Sequence, residues 1–202
     1  MRRACSKGID KMEAKQLMKK PVVLIGFMGS GKSSIGKQVA LLCGREFIDL
    51  DQRIVQELGI SIPQIFAEKG EPYFRQLERS ILQQSLEQAD AIIATGGGVV
   101  LQEANRLLLQ QSGWVFNLIT SPASIFERLG KDRSRPLLLD EAGQVSYERV
   151  ETLWRERQPY YSWAPWQIMN EGRSKEDVVW EIVQLIRMNV VFDSSTREEG
   201  QV

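Results

Sequence analysis

Short apolar segments alternate with longer segments of helical periodicity along most of the chain. The apolar segments are rich in β-branched residues and are bounded by turn residues, which is typical of strands buried on both faces of a parallel sheet. The pattern therefore predicts an α/β fold in which helices cover a parallel sheet. The predicted strands are Val22–Ile25, Glu46–Asp49, Ala91–Ala94, Trp114–Leu118 and Trp166–Met169.

The segments between these strands have the spacing of amphipathic helices, and several carry a proline just after a serine or glutamate, which marks a helix start. The predicted helices are Lys32–Leu42, Asp51–Leu58, Pro72–Gln88, Glu103–Gln111, Pro122–Leu129, Tyr147–Glu156 and Lys175–Met188.

Three segments depart from this pattern and define the expected domain organisation. Residues 130–145 combine charges, glycine and proline with the apolar Leu137–Leu139, which favours a mobile lid over a simple turn. Residues 1–20 lack an apolar signal region and are expected to form a flexible extension. Residues 191–202 are expected to be a disordered tail, which leaves one folded domain over 21–190.

Composition excludes several classes of function. The 26 Lys and Arg balance 26 Asp and Glu, so no net charge favours nucleic acid or an anionic membrane as partner. The chain has no histidine, which rules out a Ser-His-Asp triad and a His-ligated zinc site. Cys5 and Cys43 are isolated, and two free thiols fit a reducing, cytoplasmic location. Nothing in the sequence demands more than a monomer.

A phosphate-binding loop lies between the first strand and the first helix. Gly26-Phe27-Met28-Gly29-Ser30-Gly31-Lys32-Ser33 matches G-x-x-x-x-G-K-[ST] in full. In such a loop, glycines let backbone N–H groups surround the phosphates, the lysine reaches the β- and γ-phosphates, and the serine hydroxyl ligates Mg²⁺. The motif predicts a nucleoside triphosphate site. No N-K-x-D guanine-reading sequence occurs, and a small kinase is the leading class.

Two further features fall at the carboxyl ends of predicted strands, where an open α/β sheet binds its ligands. Asp49 and Asp51 share one face of the second strand end; Asp49 is placed to support Mg²⁺, and Asp51 is either an acceptor ligand or a helix N-cap. Gly96, Gly97 and Gly98 follow the third strand, and three successive glycines favour close approach of a ligand over a flexible turn.

Several arginines indicate a functional site only in combination with other motifs, because a single helical arginine is more often a solvated charge. Taken with the features above, the chain resembles the shikimate kinase family from about Pro21 to Met188. The resemblance rests on the G-x-x-G-x-G-K-S loop, F-x-D-x-D at Phe47–Asp51, G-E-x-x-F-R-x-x-E at Gly70–Glu78, the triple glycine, R-P-L-L at Arg135–Leu138 and R-x-P-x-Y at Arg157–Tyr161.

The resemblance implies a three-layer P-loop kinase fold with a five-stranded parallel sheet, and transfer of the γ-phosphoryl group of ATP, with Mg²⁺, to the 3-hydroxyl of shikimate for aromatic amino acid biosynthesis. It implies catalytic roles for Lys32, Asp51 and Arg135. It implies Mg²⁺ support by Ser33 and Asp49. It implies shikimate binding by Asp51, Arg75, Gly96, Gly97, Gly98 and Arg157, and ATP binding by Gly29, Ser30, Gly31, Lys32, Ser33, Ser34, Arg128, Arg135 and Arg173.

Two stretches depart from the family pattern. The end of the last strand reads Met169-Asn170-Glu171-Gly172-Arg173 instead of an acidic, threonine-containing sequence, which affects the adenine-side contact expected of Arg173. The aromatic stretch 160–166 is expected to be core packing. The alternatives to a shikimate kinase are a gluconate kinase and an ATP-binding regulator without activity on the same fold.

Overall fold

The computed structural model of the protein describes residues 20–130, 132 and 135–198. Its centre is a five-stranded sheet in the order β2-β3-β1-β4-β5, and every neighbouring pair is parallel. The predicted α/β class and parallel sheet are confirmed. All strands lie where the apolar pattern predicted them, with β4 one residue longer. They are β1 Val22–Ile25, β2 Glu46–Asp49, β3 Ala91–Ala94, β4 Trp114–Ile119 and β5 Trp166–Met169.

The helices follow the strands as expected of right-handed crossovers between parallel strands. They are α1 Lys32–Cys43, α2 Leu50–Leu58, α3 Ile62–Leu86, α4 Glu103–Ser112, α5 Pro122–Leu129, α6 Tyr147–Arg157 and α7 Lys175–Glu198, with short 3₁₀ turns at Val99–Leu101, Pro136–Leu138 and Gln158–Tyr160.

Helix α3 begins well before its predicted start at Pro72. Ser61 caps it through a reciprocal capping box with Gln64, in which each side chain bonds the other residue's backbone N–H. Gly70 interrupts the helix with φ 79° and ψ 167°, a conformation open to glycine. Pro72 then lies in the first turn after the break, so the predicted start marks the second half of a kinked helix.

Helix α7 continues to Glu198, past its predicted end at Met188 and into the predicted disordered tail. No glycine or proline interrupts the sequence between Met188 and Gly200, which is why the helix can continue. The remaining part of that tail, 199–202, and residues 1–19 of the predicted N-terminal extension lie outside the described residues. Within the described part of the chain, no helix is long and apolar enough to cross a membrane.

The core is divided by the sheet into two apolar layers. Alternate residues of β1 point to opposite faces, so Val22 and Leu24 pack with α1 and α7, whereas Val23 and Ile25 pack with the helices of the other face. The aromatic stretch contributes Tyr161 to this second layer and packs Trp163 against it, as predicted, although Tyr160 remains exposed.

The second half of the predicted lid is fixed to the core. Leu138 is fully buried and Val145 nearly so, and Leu139 pairs with Val145 in an antiparallel bridge. The side chain of Asp140 accepts the N–H groups of Ala142 and Gln144, each at 2.9 Å, and so closes the turn between them. The buried Leu138 and Val145 therefore hold the second half of the predicted lid against the core, and Lys131, Arg133 and Ser134 of its first half lie outside the described residues.

Candidate active site

The predicted phosphate loop connects β1 to α1, as the motif requires. Gly26, Gly29 and Gly31 have φ values of 141°, 78° and 94°, so the loop is built on conformations that other residues rarely adopt. The buried ammonium of Lys32 donates to the carbonyls of Gly26 and Phe27 at 2.8 and 2.9 Å. The loop thus forms a compact turn around its own lysine at the start of a helix.

Lys32 is an unusually acidic lysine. Burial lowers its pKa to about 8, an effect that Arg135 adds to and that the carboxylates of Asp51 and Asp49 oppose. Because each of these groups acts on Lys32 electrostatically, the structure places the lysine, both aspartates and the predicted lid arginine in one charged site.

Asp49 connects the loop helix to the next strand. Its Oδ2 accepts the hydroxyl of Ser33 at 2.6 Å, and its Oδ1 accepts the backbone N–H of Gln52 at 3.2 Å, which makes Asp49 the N-cap of α2. Of the two alternatives left open for Asp51, the N-cap is therefore wrong. Asp51 lies two residues after Asp49, inside α2, and its side chain is not needed as the cap.

Asp51 is partly buried beside the triple glycine. Burial raises the pKa of its carboxyl group, and the charge of Asp49 adds to this, whereas Lys32, Arg135 and Arg75 oppose it. A Cβ atom at Gly96 would lie 2.7 Å from Asp51 Oδ1 and 3.1 Å from Glu78 Oε1. Any larger residue at position 96 would therefore have to displace the Asp51 carboxylate.

The other two glycines of the triplet are also required by close contacts rather than by backbone angles, since none of the three has a positive φ. A Cβ at Gly97 would lie 3.1 Å from the backbone nitrogen of Met28 in the phosphate loop, and one at Gly98 would lie 2.6 Å from Arg75 Nη1. Because these glycines have no side chains, the backbone that follows β3 can lie between the phosphate loop and the guanidinium of Arg75.

Arg75 is held by two glutamates. Its Nη1 donates to Glu78 Oε2 at 2.8 Å, and its Nε and Nη2 both donate to Glu71 Oε1 at 3.1 Å. The Glu78 side chain is only 2% exposed, and burial raises its pKa while the Arg75 charge and hydrogen bond lower it. The i,i+3 spacing of Arg75 and Glu78 is that of an ordinary helical ion pair, and the structure contains this pair, yet it is buried at the site instead of lying in solvent.

Arg157 ends α6 in the same region. Burial lowers its pKa, and the positive charge of Arg75 acts in the same direction, so the two guanidinium groups lie within electrostatic reach of each other. No hydrogen bond or ion pair engages the Arg157 guanidinium within the described residues, so its donors are available to a ligand. Tyr161, the last residue of the R-x-P-x-Y motif, donates its hydroxyl to the carbonyl of Gly97 at 2.6 Å.

The remaining predicted arginines differ in position. Arg128 donates to the carbonyl of Gly29 at 3.2 Å and so lies at the phosphate loop. Arg135 is bonded to Asp132 at 3.1 Å on the predicted lid. Arg173 is bonded to Glu181 of α7 and to the carbonyl of Met169, and no contact within the described residues joins it to the loop.

Three residues were not assigned to the site from the sequence. Glu78 and Tyr161 stand inside the quoted motifs, but their places at the site, beside Arg75 and Gly97, depend on burial that a sequence does not display. Asn170 follows β5 and is nearly buried; its side chain donates to the carbonyl of Ser30 at 2.6 Å, across 140 positions of sequence. Because the peptide is planar and trans, fixing the Ser30 carbonyl also fixes the direction of the Gly31 N–H. The sequence feature that could have drawn attention to Asn170 was the departure from the family pattern at the end of β5.

The chain is similar to known proteins along most of its length. The family model of shikimate kinase matches residues 28–187. The shikimate kinase of Geobacter metallireducens is 42% identical over 80% of this chain and 88% of its own. That of Geobacter sulfurreducens is 43% identical over 82% and 90%.

Solved structures give the same result. The shikimate kinase of Acinetobacter baumannii in complex with shikimate superposes with a TM-score of 0.79 at 34% identity, over 87% of this chain and 98% of that one. A gluconokinase of Sinorhizobium meliloti, with a TM-score of 0.56 and 16% identity, shares the fold alone. The chain belongs to the shikimate kinase family.

Proposed function

We propose that this protein transfers the γ-phosphoryl group of ATP to the 3-hydroxyl of shikimate. The observation that supports the proposal is a group of charges at the triple glycine: Arg75 acts electrostatically on both Asp51 and Arg157, and Asp51 interacts with Lys32 of the phosphate loop. Two guanidinium groups suit a carboxylate ligand, and a desolvated aspartate suits a reacting hydroxyl.

ATP binds with its phosphates in the loop. The backbone N–H groups of Gly29, Ser30 and Gly31, together with the positive end of α1, face the anionic oxygens, and the hydroxyls of Ser33 and Ser34 lie at the helix start. Lys32 exchanges its bonds to the loop carbonyls for bonds to the β- and γ-phosphates. Arg128, already at the Gly29 carbonyl, packs beside the adenine, and Arg173 is the further adenine-side residue.

Mg²⁺ fits the pair formed by Ser33 and Asp49, because both supply oxygen atoms, which this hard cation prefers. Within the described residues no group of three or more acidic, cysteine or histidine side chains could hold a metal by itself. Held by Ser33 and Asp49 together with the bound nucleotide, Mg²⁺ would neutralise charge on the transferred phosphoryl group.

The acceptor lies between the triple glycine and the arginines. Arg75 and Arg157 hold the carboxylate of shikimate, Gly96 to Gly98 form the surface beneath its ring, and Asp51 binds the hydroxyls and takes the proton of the attacking one. Arg135, which already acts electrostatically on Lys32 and Asp51, neutralises the transferring phosphate, while Leu138 anchors the following residues of the predicted lid in the core. We further propose that the protein acts as a monomer in the cytoplasm.

The test of this function is identification of the product. The protein, MgATP and shikimate are incubated, and the product is examined by phosphorus and proton NMR. We expect one phosphate ester, coupled to the proton on carbon 3. A phosphate on another hydroxyl would overturn the assignment of the acceptor orientation, and no ester would overturn the function.

The pKa of Lys32 predicts how ATP affinity depends on pH. Its folded-state pKa is lowered to about 8, so the ammonium is present below that pH and is lost as pH rises through it in the free protein. ATP affinity should therefore decline above pH 8 by up to about tenfold per pH unit, which calorimetric titration of ATP at several pH values measures. Lys32→Arg, which keeps its charge, should remove this decline; an equal decline in both proteins would contradict the prediction.

A further inference from the structure

We propose that Glu71 is an internal competitor of the acceptor: its carboxylate occupies the edge of Arg75 that the shikimate carboxylate must take. The inference rests on the proposed function, because that function assigns Arg75 to the acceptor carboxylate. It makes Glu71 a residue that sets acceptor affinity without touching the reacting atoms.

A guanidinium offers two edges for bidentate binding, one between Nε and an Nη atom and one between the two Nη atoms, and both edges of Arg75 face protein groups. Glu71 Oε1 lies 3.1 Å from both Nε and Nη2 and so closes the edge between them. Nη1 donates to Glu78 at 2.8 Å. The edge between the two Nη atoms faces Gly98, where a Cβ would lie 2.6 and 2.9 Å from them. Since bidentate binding of a carboxylate needs a free edge, an incoming acceptor must displace a glutamate.

Exposure decides which glutamate leaves. The Glu78 side chain is 2% exposed, and taking away the Arg75 cation would cost a buried carboxylate its ion pair. The Glu71 side chain is 63% exposed although Arg75 is only 16% exposed, so water can solvate the Glu71 carboxylate as soon as it leaves Arg75. Glu71 therefore yields and Glu78 stays, which keeps Arg75 oriented after the exchange.

The surroundings of Glu71 support its role as a substitute for the acceptor. Although burial lowers the pKa of Arg157, the charge of Glu71 opposes that shift, so Glu71 acts on both arginines that we assign to the acceptor carboxylate. A cavity of about 590 Å³ lies next to it, lined by Glu71, Pro72, Arg75, Gln76, Arg79, Leu101 and Gln102. The displaced side chain thus has room to turn away, toward the cation of Arg79.

The experiment is a calorimetric titration of shikimate, without nucleotide, into wild type, Glu71→Ala and Glu68→Ala. Glu68 is an exposed glutamate of the same helix, so its variant carries the same change in net charge. We expect Glu71→Ala to bind shikimate about twofold to fivefold more tightly than Glu68→Ala, the effect of removing a weak competing ion pair. Turnover should show the same decrease in KM, with kcat within about twofold of wild type.

A second ligand separates competition from a general charge effect. The carboxamide of shikimate has no charge to place on Arg75, so its affinity should be equal in the two variants. Weaker or unchanged shikimate binding by Glu71→Ala, or equal tightening for acid and amide, would overturn the inference. Binding is measured without phosphoryl transfer, and so a protein that binds shikimate but releases no ADP would refute the proposed function while still testing Glu71.

Discussion

Replacing Asp51 with Asn should lower kcat by about 10²–10⁴-fold, the usual loss when a positioned proton acceptor is removed. The amide has the shape of the carboxylate and fits beside Gly96, yet it cannot take a proton from the acceptor hydroxyl. Burial and the charge of Asp49 raise the pKa of Asp51, which makes it a better base than an exposed aspartate.

The measurement for Asp51→Asn is steady-state ADP release with saturating MgATP and shikimate, together with calorimetric titration of ATP. ATP affinity should stay close to wild type, because Asp51 faces the acceptor. Glu57→Gln, which neutralises an exposed carboxylate of the same helix α2, is the control and should keep full activity. A kcat for Asp51→Asn within about threefold of wild type would remove Asp51 from the reaction.

Replacing Arg157 with Ala should lower kcat/KM for shikimate while leaving ATP affinity unchanged. Losing one partner of a buried, hydrogen-bonded charge costs about 2–5 kcal/mol. Because Arg157 is only partly buried, we expect the lower part of that range, about 2–3 kcal/mol, or on the order of 30-fold to 200-fold. Arg75 remains to hold the acceptor carboxylate, so activity should be reduced rather than abolished.

Arg155 provides the matched control for Arg157. It lies on the same helix α6, but its side chain is 72% exposed and paired with Glu151. Arg155→Ala should therefore leave both kcat/KM and ATP affinity near wild type. Arg157→Lys, which keeps the charge and loses the planar fork, should recover part of the loss. If Arg157→Ala weakened ATP as much as shikimate, Arg157 would belong to the nucleotide side.

Much of this architecture was predictable because it depends on local pattern. The strands are short apolar segments with turn residues at both ends, and burial on both faces gives them a strong signal. The phosphate loop is a contiguous motif whose glycines are fixed by backbone angles, so sequence alone located Gly26, Gly29 and Gly31.

Other features depended on contacts between distant parts of the chain. Asp49 and Asp51 are two residues apart and have the same chemistry, and only the position of Gln52 shows which one caps α2. The triple glycine predicted close approach of a ligand in preference to a flexible turn, but the sequence did not show that its members also make room for Asp51, Glu78, Met28 and Arg75. The hydrogen bond from Asn170 to the Ser30 carbonyl joins residues that are 140 positions apart in the sequence, so no local spacing predicts it.

The kink in α3 lies between these two cases. The sequence shows the residues that shape this helix, which are Ser61, Pro63, Gly70 and Pro72. A glycine close to a proline, however, usually separates two helices. The structure joins the two halves, and this brings Glu71 and Glu78 to the same guanidinium. The lid was likewise predicted from its composition as one mobile segment, residues 130–145. In the structure Leu138 and Val145, in its second half, are buried in the core.

The central claim, ATP-dependent phosphorylation of shikimate, is tested most directly by coupled ADP release with MgATP and one acceptor at a time. The acceptors are shikimate, quinate and gluconate, with a reaction lacking acceptor as the baseline. We predict rapid ADP release with shikimate, a near-baseline rate with gluconate, and a loss of the shikimate-dependent rate in Asp51→Asn. Turnover with gluconate but not shikimate, or ADP release that no acceptor stimulates, would contradict the account.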